Sequence, residues 1–298
     1  MSSGPRHGGK RRPQAGGRSQ GGGKRRPNSG PKRQPNDQRR QKSAPSGDAR
    51  RGSGPGGDQV EGRHAVRELL LAGTRRTREV VLAAGLDQAD IVDDIIQLAE
   101  ELRVPVRELA RPAFEAAART DSSQGIFAHA DPLPTVEIED LIAGPTPFLL
   151  MIDGVTDPHN LGAIFRTAEG AGVTGIILPR HRAARVGATV SKTAAGAVEH
   201  VPVAMVAGVP AALGALRDNG VWTVGLDEAG SRTIFDLDLA SEPICLVLGA
   251  EGAGLSRLAR ERCDVLASLP MKGAIASLNV SVAASIAMYD ITRRRMQA

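Results

Sequence analysis

Polar and glycine residues gather in three short stretches of the C-terminal half, each flanked by apolar runs. The first is Asp153-Gly154-Val155-Thr156-Asp157-Pro158-His159-Asn160-Leu161-Gly162, continuing to Glu169. Asn160 is well placed to start a helix; Arg166 and Glu169 then share one side of it, while Ile164 and Ala168 face a core. An arginine so placed can face a site at the strand end, and the plain alternative is an exposed Arg–Glu pair that stabilises little. The second stretch, Leu248 to Ser256, carries Gly249, Glu251, Gly252 and Gly254. Its glycines let the backbone approach a ligand closely and offer amides to it. No Lys-Ser or Lys-Thr follows them, which argues against a P-loop. The third, Leu269 to Ser281, brings Ser277, Asn279 and Ser281 to the mouth of a helix in which Val282, Ile286 and Tyr289 have core spacing. Helix capping accounts for one of those polar groups and leaves two to be explained.

These stretches need a scaffold, and the flanking pattern supplies it. Apolar, β-type runs at 148–152, 175–178, 201–203, 221–226, 244–248 and 265–269 alternate with helical patterns near 160–171, 189–195, 209–219, 255–262 and 278–295. Such alternation predicts an α/β fold with a mostly parallel sheet covered on both faces, whose ligands sit beyond the carboxyl ends of the strands. Two matches to the dinucleotide pattern G-x-G-x-x-G, at Gly170–Gly175 and Gly52–Gly57, lack the strand-then-helix context that pattern requires. Upstream, a helix over 60–71 (Val66, Leu69, Leu70, ended by Gly73), a second over 88–102, and short strands at 79–84, 104–106 and 124–129 describe a small α/β domain at 59–131. The proline-rich segment 132–147 reads as a linker, and 148–298 as the larger domain.

Charge divides the chain unevenly. Residues 1–58 hold 15 Lys and Arg against 3 Asp, a net +12, whereas the remainder holds 23 basic and 30 acidic side chains, a net −7. The tail has no aromatic residue and too little apolar surface to offset chain entropy, so it is expected to be disordered and to attract a polyanion through Lys10-Arg11-Arg12, Lys24-Arg25-Arg26 and similar clusters. A merely solubilising tail is the competing reading. No long apolar run marks a membrane span or a signal peptide, so no membrane contact and a cytoplasmic location are expected. Cys245 and Cys263 lie in or next to apolar runs and read as buried thiols, and the six histidines lack ligand spacing, so no metal is expected.

The stretches DPHNLGAIFRTAEGAG, LVLGAEGAGLS and LPMKGAIASLNVSVAASI resemble, in order, motifs 1, 2 and 3 of the SpoU (TrmH-like) branch of the SPOUT methyltransferases. EGRHAVRELLL at 61–71 and QGIFA at 124–128 resemble that family's substrate-binding domain. The likeness spans both domains and is nearest to bacterial enzymes that methylate a guanosine 2′-hydroxyl in 23S ribosomal RNA. It implies a C-terminal trefoil knot, a homodimer with its site at the subunit interface, and S-adenosylmethionine held around Gly249, Glu251, Gly252, Leu269 and Leu278. It also implies catalysis by Arg166 with Asn160, Glu169, Ser277 and Asn279.

A guanidinium has a pKa above about 12 and seldom loses a proton. Two roles for Arg166 therefore stand: an unusually perturbed base, or a clamp on a neighbouring RNA phosphate. The family often carries a histidine before the Gln-Gly of the small domain, where this chain has Ser122-Ser123, which leaves the target nucleotide open. A transfer RNA 2′-O-methyltransferase is the alternative within the same chemistry, disfavoured by the small domain. A non-catalytic RNA-binding assembly factor is the alternative outside it, disfavoured by the intact polar set.

Overall fold

In the computed structural model, which describes residues 55–87 and 89–297, two sheets lie in sequence along the chain. The smaller is built from β1 (Gln59–Glu61), α1 (Arg63–Ala72), β2 (Thr77–Ala83), α2 (Asp90–Glu101), β3 (Val106–Leu109), α3 (Arg111–Ala117) and β4 (Ile126–Ala130). Its strand order is β1-β4-β2-β3, with β4 antiparallel to β1 and β2 and the β2–β3 pair parallel. The helix expected over 60–71 starts later, because 59–61 pair with β4 and Gly62, at φ 95°, turns the chain into α1.

Most of the charged tail, residues 1–54, lies outside the described residues. Its last four residues do not behave as tail: Val186 donates to the Pro55 carbonyl at 2.9 Å, Leu133 to Gly56 at 2.9 Å and Ala130 to Asp58 at 3.0 Å. The expected linker is likewise attached. The Val136 amide donates to the Val203 carbonyl, and α4 (Ile138–Leu141) buries Leu141 against Gly175, where a Cβ would lie 2.5 Å from the leucine.

The larger domain comprises β5 (Phe148–Asp153), α5 (Pro158–Gly170), β6 (Gly175–Pro179), α6 (Ala188–Thr193), β7 (Val203–Val206), α7 (Val209–Asp218), β8 (Trp222–Leu226), β9 (Arg232–Thr233), β10 (Ile244–Gly249), α8 (Arg257–Arg262), β11 (Val265–Ser268) and α9 (Val280–Arg295). All seven strands are parallel, in the order β7-β6-β5-β10-β8-β11-β9. Strands such as Phe148–Asp153 and Ile244–Gly249 are buried along nearly their whole length, as a sheet covered on both faces demands. One face packs under α5, α6 and α9 through Ile164, Phe165, Val190 and Met288, and the other under α7 and α8 through Leu213, Leu216 and Ala259.

On α9 the core stripe is Val280, Ala284, Ala287, Met288 and Ile291. Val282, Ile286 and Tyr289, expected in the core, are 46%, 37% and 52% exposed and form an apolar stripe on the outside. No helix among the described residues is long and apolar enough to cross a membrane.

A buried ion pair fastens the turn between α1 and β2 to the segment between α6 and β7. Arg75, 2% exposed, meets Glu199, fully buried, through Nε and Nη2 at 2.9 and 2.5 Å, and it also donates to the carbonyls of Gly57 and Asp131.

Candidate active site

All three polar stretches begin at carboxyl ends of strands on one side of the sheet: 153–157 after β5, 250–256 after its neighbour β10, and 269–279 after β11, which β8 separates from β10. Each is stopped by a capped helix. Asp157 caps α5 by accepting from the His159 amide at 3.0 Å, with Pro158 in the first turn where its missing N–H costs nothing. Asn160 therefore does not start the helix as expected. It sits one turn in, and its side chain is free for other work. Ser256 caps α8 and Asn279 caps α9, the latter accepting from the Ser281 amide at 2.9 Å.

The 250–254 turn is closed by two backbone bonds between Ala250 and Gly254, at 2.9 and 2.8 Å. Gly249 has no room for a side chain, since a Cβ there would fall 2.1 Å from the Gly254 carbonyl carbon and 2.3 Å from the Leu255 nitrogen. Gly252 and Gly254 take φ values of 75° and 66°, the left-handed region that glycine enters freely.

A chain of side chains links the three loops. Asn279 Oδ1 is committed to the α9 amides, so its Nδ2 is the donor and meets Asn160 Oδ1 at 2.9 Å. Asn160 must then donate through Nδ2, which it does to Glu251 at 3.0 Å. Each amide nitrogen keeps a second N–H for a ligand. Beside this chain opens a cavity of about 420 Å³ whose lining includes Leu248, Gly249, Glu251, Gly252, Leu269, Ser277, Leu278 and Asn279. Its volume suits a nucleoside-sized molecule, its leucines suit a planar base, and its glycine turn brings backbone within reach.

Every residue expected to hold a cofactor thus lines one cavity, together with Ser277 and Asn279 from the catalytic set. Asn160 touches the cavity wall through Glu251 and Asn279. Arg166 and Glu169 lie elsewhere. Both are exposed on α5, and their side chains form no hydrogen bond or ion pair within the described residues, so the Arg–Glu pair suggested by their spacing is not made. At about 100° per residue, Arg166 falls about 20° from His159 around the helix and about 120° from Asn160.

Residues the spacing did not single out complete the cavity. Asp227, at the end of β8, has a side chain 1% exposed and pairs with Arg260 at 2.7 Å; both line the cavity with Glu228. A lone acid after a strand has no local signal to distinguish it.

The two thiols are free. Cys263 is pushed up to about 12 by burial and by nearby Asp264, Asp153 and Asp227, and burial also raises Cys245 well above the ordinary thiol range.

A larger cleft, of about 760 Å³, opens in the small domain beside Arg63, Arg111, Arg119 and Gln124. Its 119–120 wall is held by Glu61, fully buried, which accepts from the Arg119 and Thr120 amides at 2.5 and 3.0 Å and from the Thr120 hydroxyl at 2.6 Å. Ser122, on the cleft, is bonded by Lys192 of the larger domain, and Ser123 is buried.

Residues 147–289 match the SpoU rRNA Methylase family, and residues 59–136 match the RNA 2′-O ribose methyltransferase substrate binding family. A 23S rRNA (guanosine-2′-O-)-methyltransferase, RlmB, of Pseudomonas aeruginosa is 40% identical over 243 residues, which cover 80% of this chain and 97% of that protein. The chain belongs to the SpoU rRNA methylase family. Two solved structures share the architecture of this SpoU chain. The SpoU methyltransferase AviRb from Streptomyces viridochromogenes, in complex with AdoMet, matches with a TM-score of 0.68 at 25% identity, covering 80% of this chain and 91% of that one. An AdoMet-bound rRNA methyltransferase from Sinorhizobium meliloti matches with a TM-score of 0.67 at 25% identity, covering 79% and 87%.

Proposed function

We propose that this chain transfers a methyl group from S-adenosylmethionine to the 2′-hydroxyl of a guanosine ribose in 23S ribosomal RNA. One observation carries this reading: the second and third family motifs line a single cavity, and the first is tied to its wall by the Glu251–Asn160–Asn279 chain. The near full-length agreement with a 23S rRNA enzyme supports the substrate, and the substrate-binding domain favours ribosomal over transfer RNA.

S-adenosylmethionine, when bound, supplies a methyl on a sulfonium for in-line transfer, in which positioning does most of the work. Gly249 and Gly252 offer backbone at close approach, while Leu269 and Leu278 offer apolar walls to the base. Glu251 places negative charge where a cation is to be held. The spare amide protons of Asn160 and Asn279, with the Ser277 hydroxyl, suit orientation of the target ribose. Arg166 suits a clamp on the adjoining phosphate, and Glu169 shares its exposed side of α5.

The outward α9 stripe of Val282, Ile286 and Tyr289 supports a homodimer, because an apolar face of this kind is stabilised by coverage. Tyr289 lies against α5, where its hydroxyl is 3.1 Å from the place of a Gly170 Cβ, so such an interface would include the Arg166 helix. In that arrangement Arg166 serves the partner's cavity. A trefoil knot is supported by the path after β11: that strand lies beyond β8, whereas α9 packs on α5 and β10, so 269–279 carry the chain back across the sheet past β8. We place the activity in the cytoplasm, where ribosomal RNA is, and assign the basic tail to RNA contact.

Mapping of 2′-O-methyl groups in 23S rRNA with and without the gene tests the proposal. Loss of one guanosine methylation, restored by the wild-type chain, is expected; an unchanged map would overturn it.

A further inference from the structure

The cofactor cavity contains a charged pair that neither the family motifs nor the three loops include. Asp227 lies at the carboxyl end of β8, the strand next to β10, which carries the glycine turn. Its side chain is 1% exposed; Oδ2 accepts from Arg260 Nε at 2.9 Å and Nη2 at 2.7 Å, and Oδ1 accepts from the Ala229 amide at 3.0 Å. The pair is thus rigid and leaves acceptor capacity on Oδ1, because a carboxylate oxygen takes more than one donor. Arg260 is 44% exposed and keeps donors to spare.

A ligand group matching this pair must donate to the carboxylate and accept from the guanidinium at neighbouring atoms. A vicinal diol does both. A glycine turn after one strand with an acid at the end of the adjacent strand is also the juxtaposition by which dinucleotide-binding sheets hold a ribose. The depth of Asp227 favours the neutral diol over the charged amino-acid end, whose burial costs more than exposure at the mouth. We infer that Asp227, oriented by Arg260, is the residue that reads the ribose hydroxyls of the cofactor's adenosine.

This rests on the reading of the cavity as the S-adenosylmethionine site, and binding rather than turnover tests it. Calorimetry on the full chain would compare S-adenosylhomocysteine with its 2′-deoxy and 3′-deoxy adenosyl analogues, for wild type, Asp227→Asn and Asp227→Ala, with melting curves to confirm folding. Loss of a hydroxyl that meets a buried carboxylate is expected to weaken wild-type binding about 10-fold or more for at least one analogue, and both variants should shrink that penalty to about 2-fold. A penalty equally large in the variants, or absent from wild type, overturns the inference. So does a collapse, in the variants, of the penalty for 5′-methylthioadenosine, which lacks the amino-acid end. Failure of S-adenosylhomocysteine itself to bind wild type overturns the cofactor reading instead.

Discussion

Replacing Gly249 by alanine tests whether the second loop owes its shape to packing. The added Cβ would meet the Gly254 carbonyl carbon at 2.1 Å, its oxygen at 2.4 Å and the Leu255 nitrogen at 2.3 Å, all backbone atoms that no side-chain rotation can move. The turn must open, which strains or breaks the two Ala250–Gly254 bonds. Two backbone bonds at about 1 kcal/mol each, with overpacking of about 1–3 kcal/mol, give a destabilisation of about 3–5 kcal/mol. For a chain of this size that corresponds to a fall in Tm of about 6–20 °C. Gly252→Ala is the control: nothing lies within 4 Å of its Cβ position, and its φ of 75° costs only the left-handed penalty of about 1–2 kcal/mol. Differential scanning calorimetry and titration with S-adenosylhomocysteine on both variants should show Gly249→Ala the less stable and the weaker binder. Equal melting temperatures and equal affinities would refute the packing argument.

Arg166→Ala should abolish methyl transfer with cofactor affinity nearly intact, since Arg166 does not line the cavity of its own chain; near-normal turnover would sink both its proposed roles. Arg75→Met leaves Glu199 charged and fully buried without its partner, so a loss of about 3–5 kcal/mol is expected by denaturant unfolding, recovered in part by adding Glu199→Leu. The Cys263 thiol, with its pKa near 12 against an ordinary 9.0, should be alkylated about a thousandfold more slowly at pH 8 than an unhindered cysteine. The folded chain then holds a proton that the unfolded chain has lost, so stability attributable to Cys263 falls as pH rises from 9.0 towards 12, as a pH series of melting curves would register.

The sheet was legible because its strands are apolar runs too short for helices and bounded by turn residues, as in Ile244–Gly249. The cavity was legible because its glycines and polar residues break that pattern at strand ends. The outer face of α9 was not, since Val282, Ile286 and Tyr289 repeat with the same helical spacing as Val280, Ala284, Ala287 and Ile291. Periodicity detects an apolar stripe but cannot say which of two faces the core. Helix α3 was not among the expected elements; its Pro112 stands in the first helical turn, where it has no hydrogen bond to lose. Asp227 and the Arg75–Glu199 pair are products of chain topology: the latter joins residues 124 positions apart, and no local spacing encodes that contact.

Helix α5 presents two of the proposed catalytic side chains in different directions. Asn160 turns inward to Glu251 and Asn279, whereas Arg166 points about 120° away around the same helix. A residue so placed faces away from the Asn160 contacts and does not line the cavity of its own chain, and the proposed dimer, packed on the α5–α9 face, would present it to the cavity of the second copy. The two arrangements give opposite results when Asn160→Ala and Arg166→Ala chains, each inactive alone, are co-expressed. If Arg166 works in trans, half of the randomly paired dimers are mixed and each mixed dimer holds one intact site, so about a quarter of wild-type activity returns. If both residues act on the cavity of their own chain, every site carries a defect and nothing returns. Purification through two different affinity tags isolates the mixed dimer, and a pure mixed dimer with no activity would refute the trans assignment.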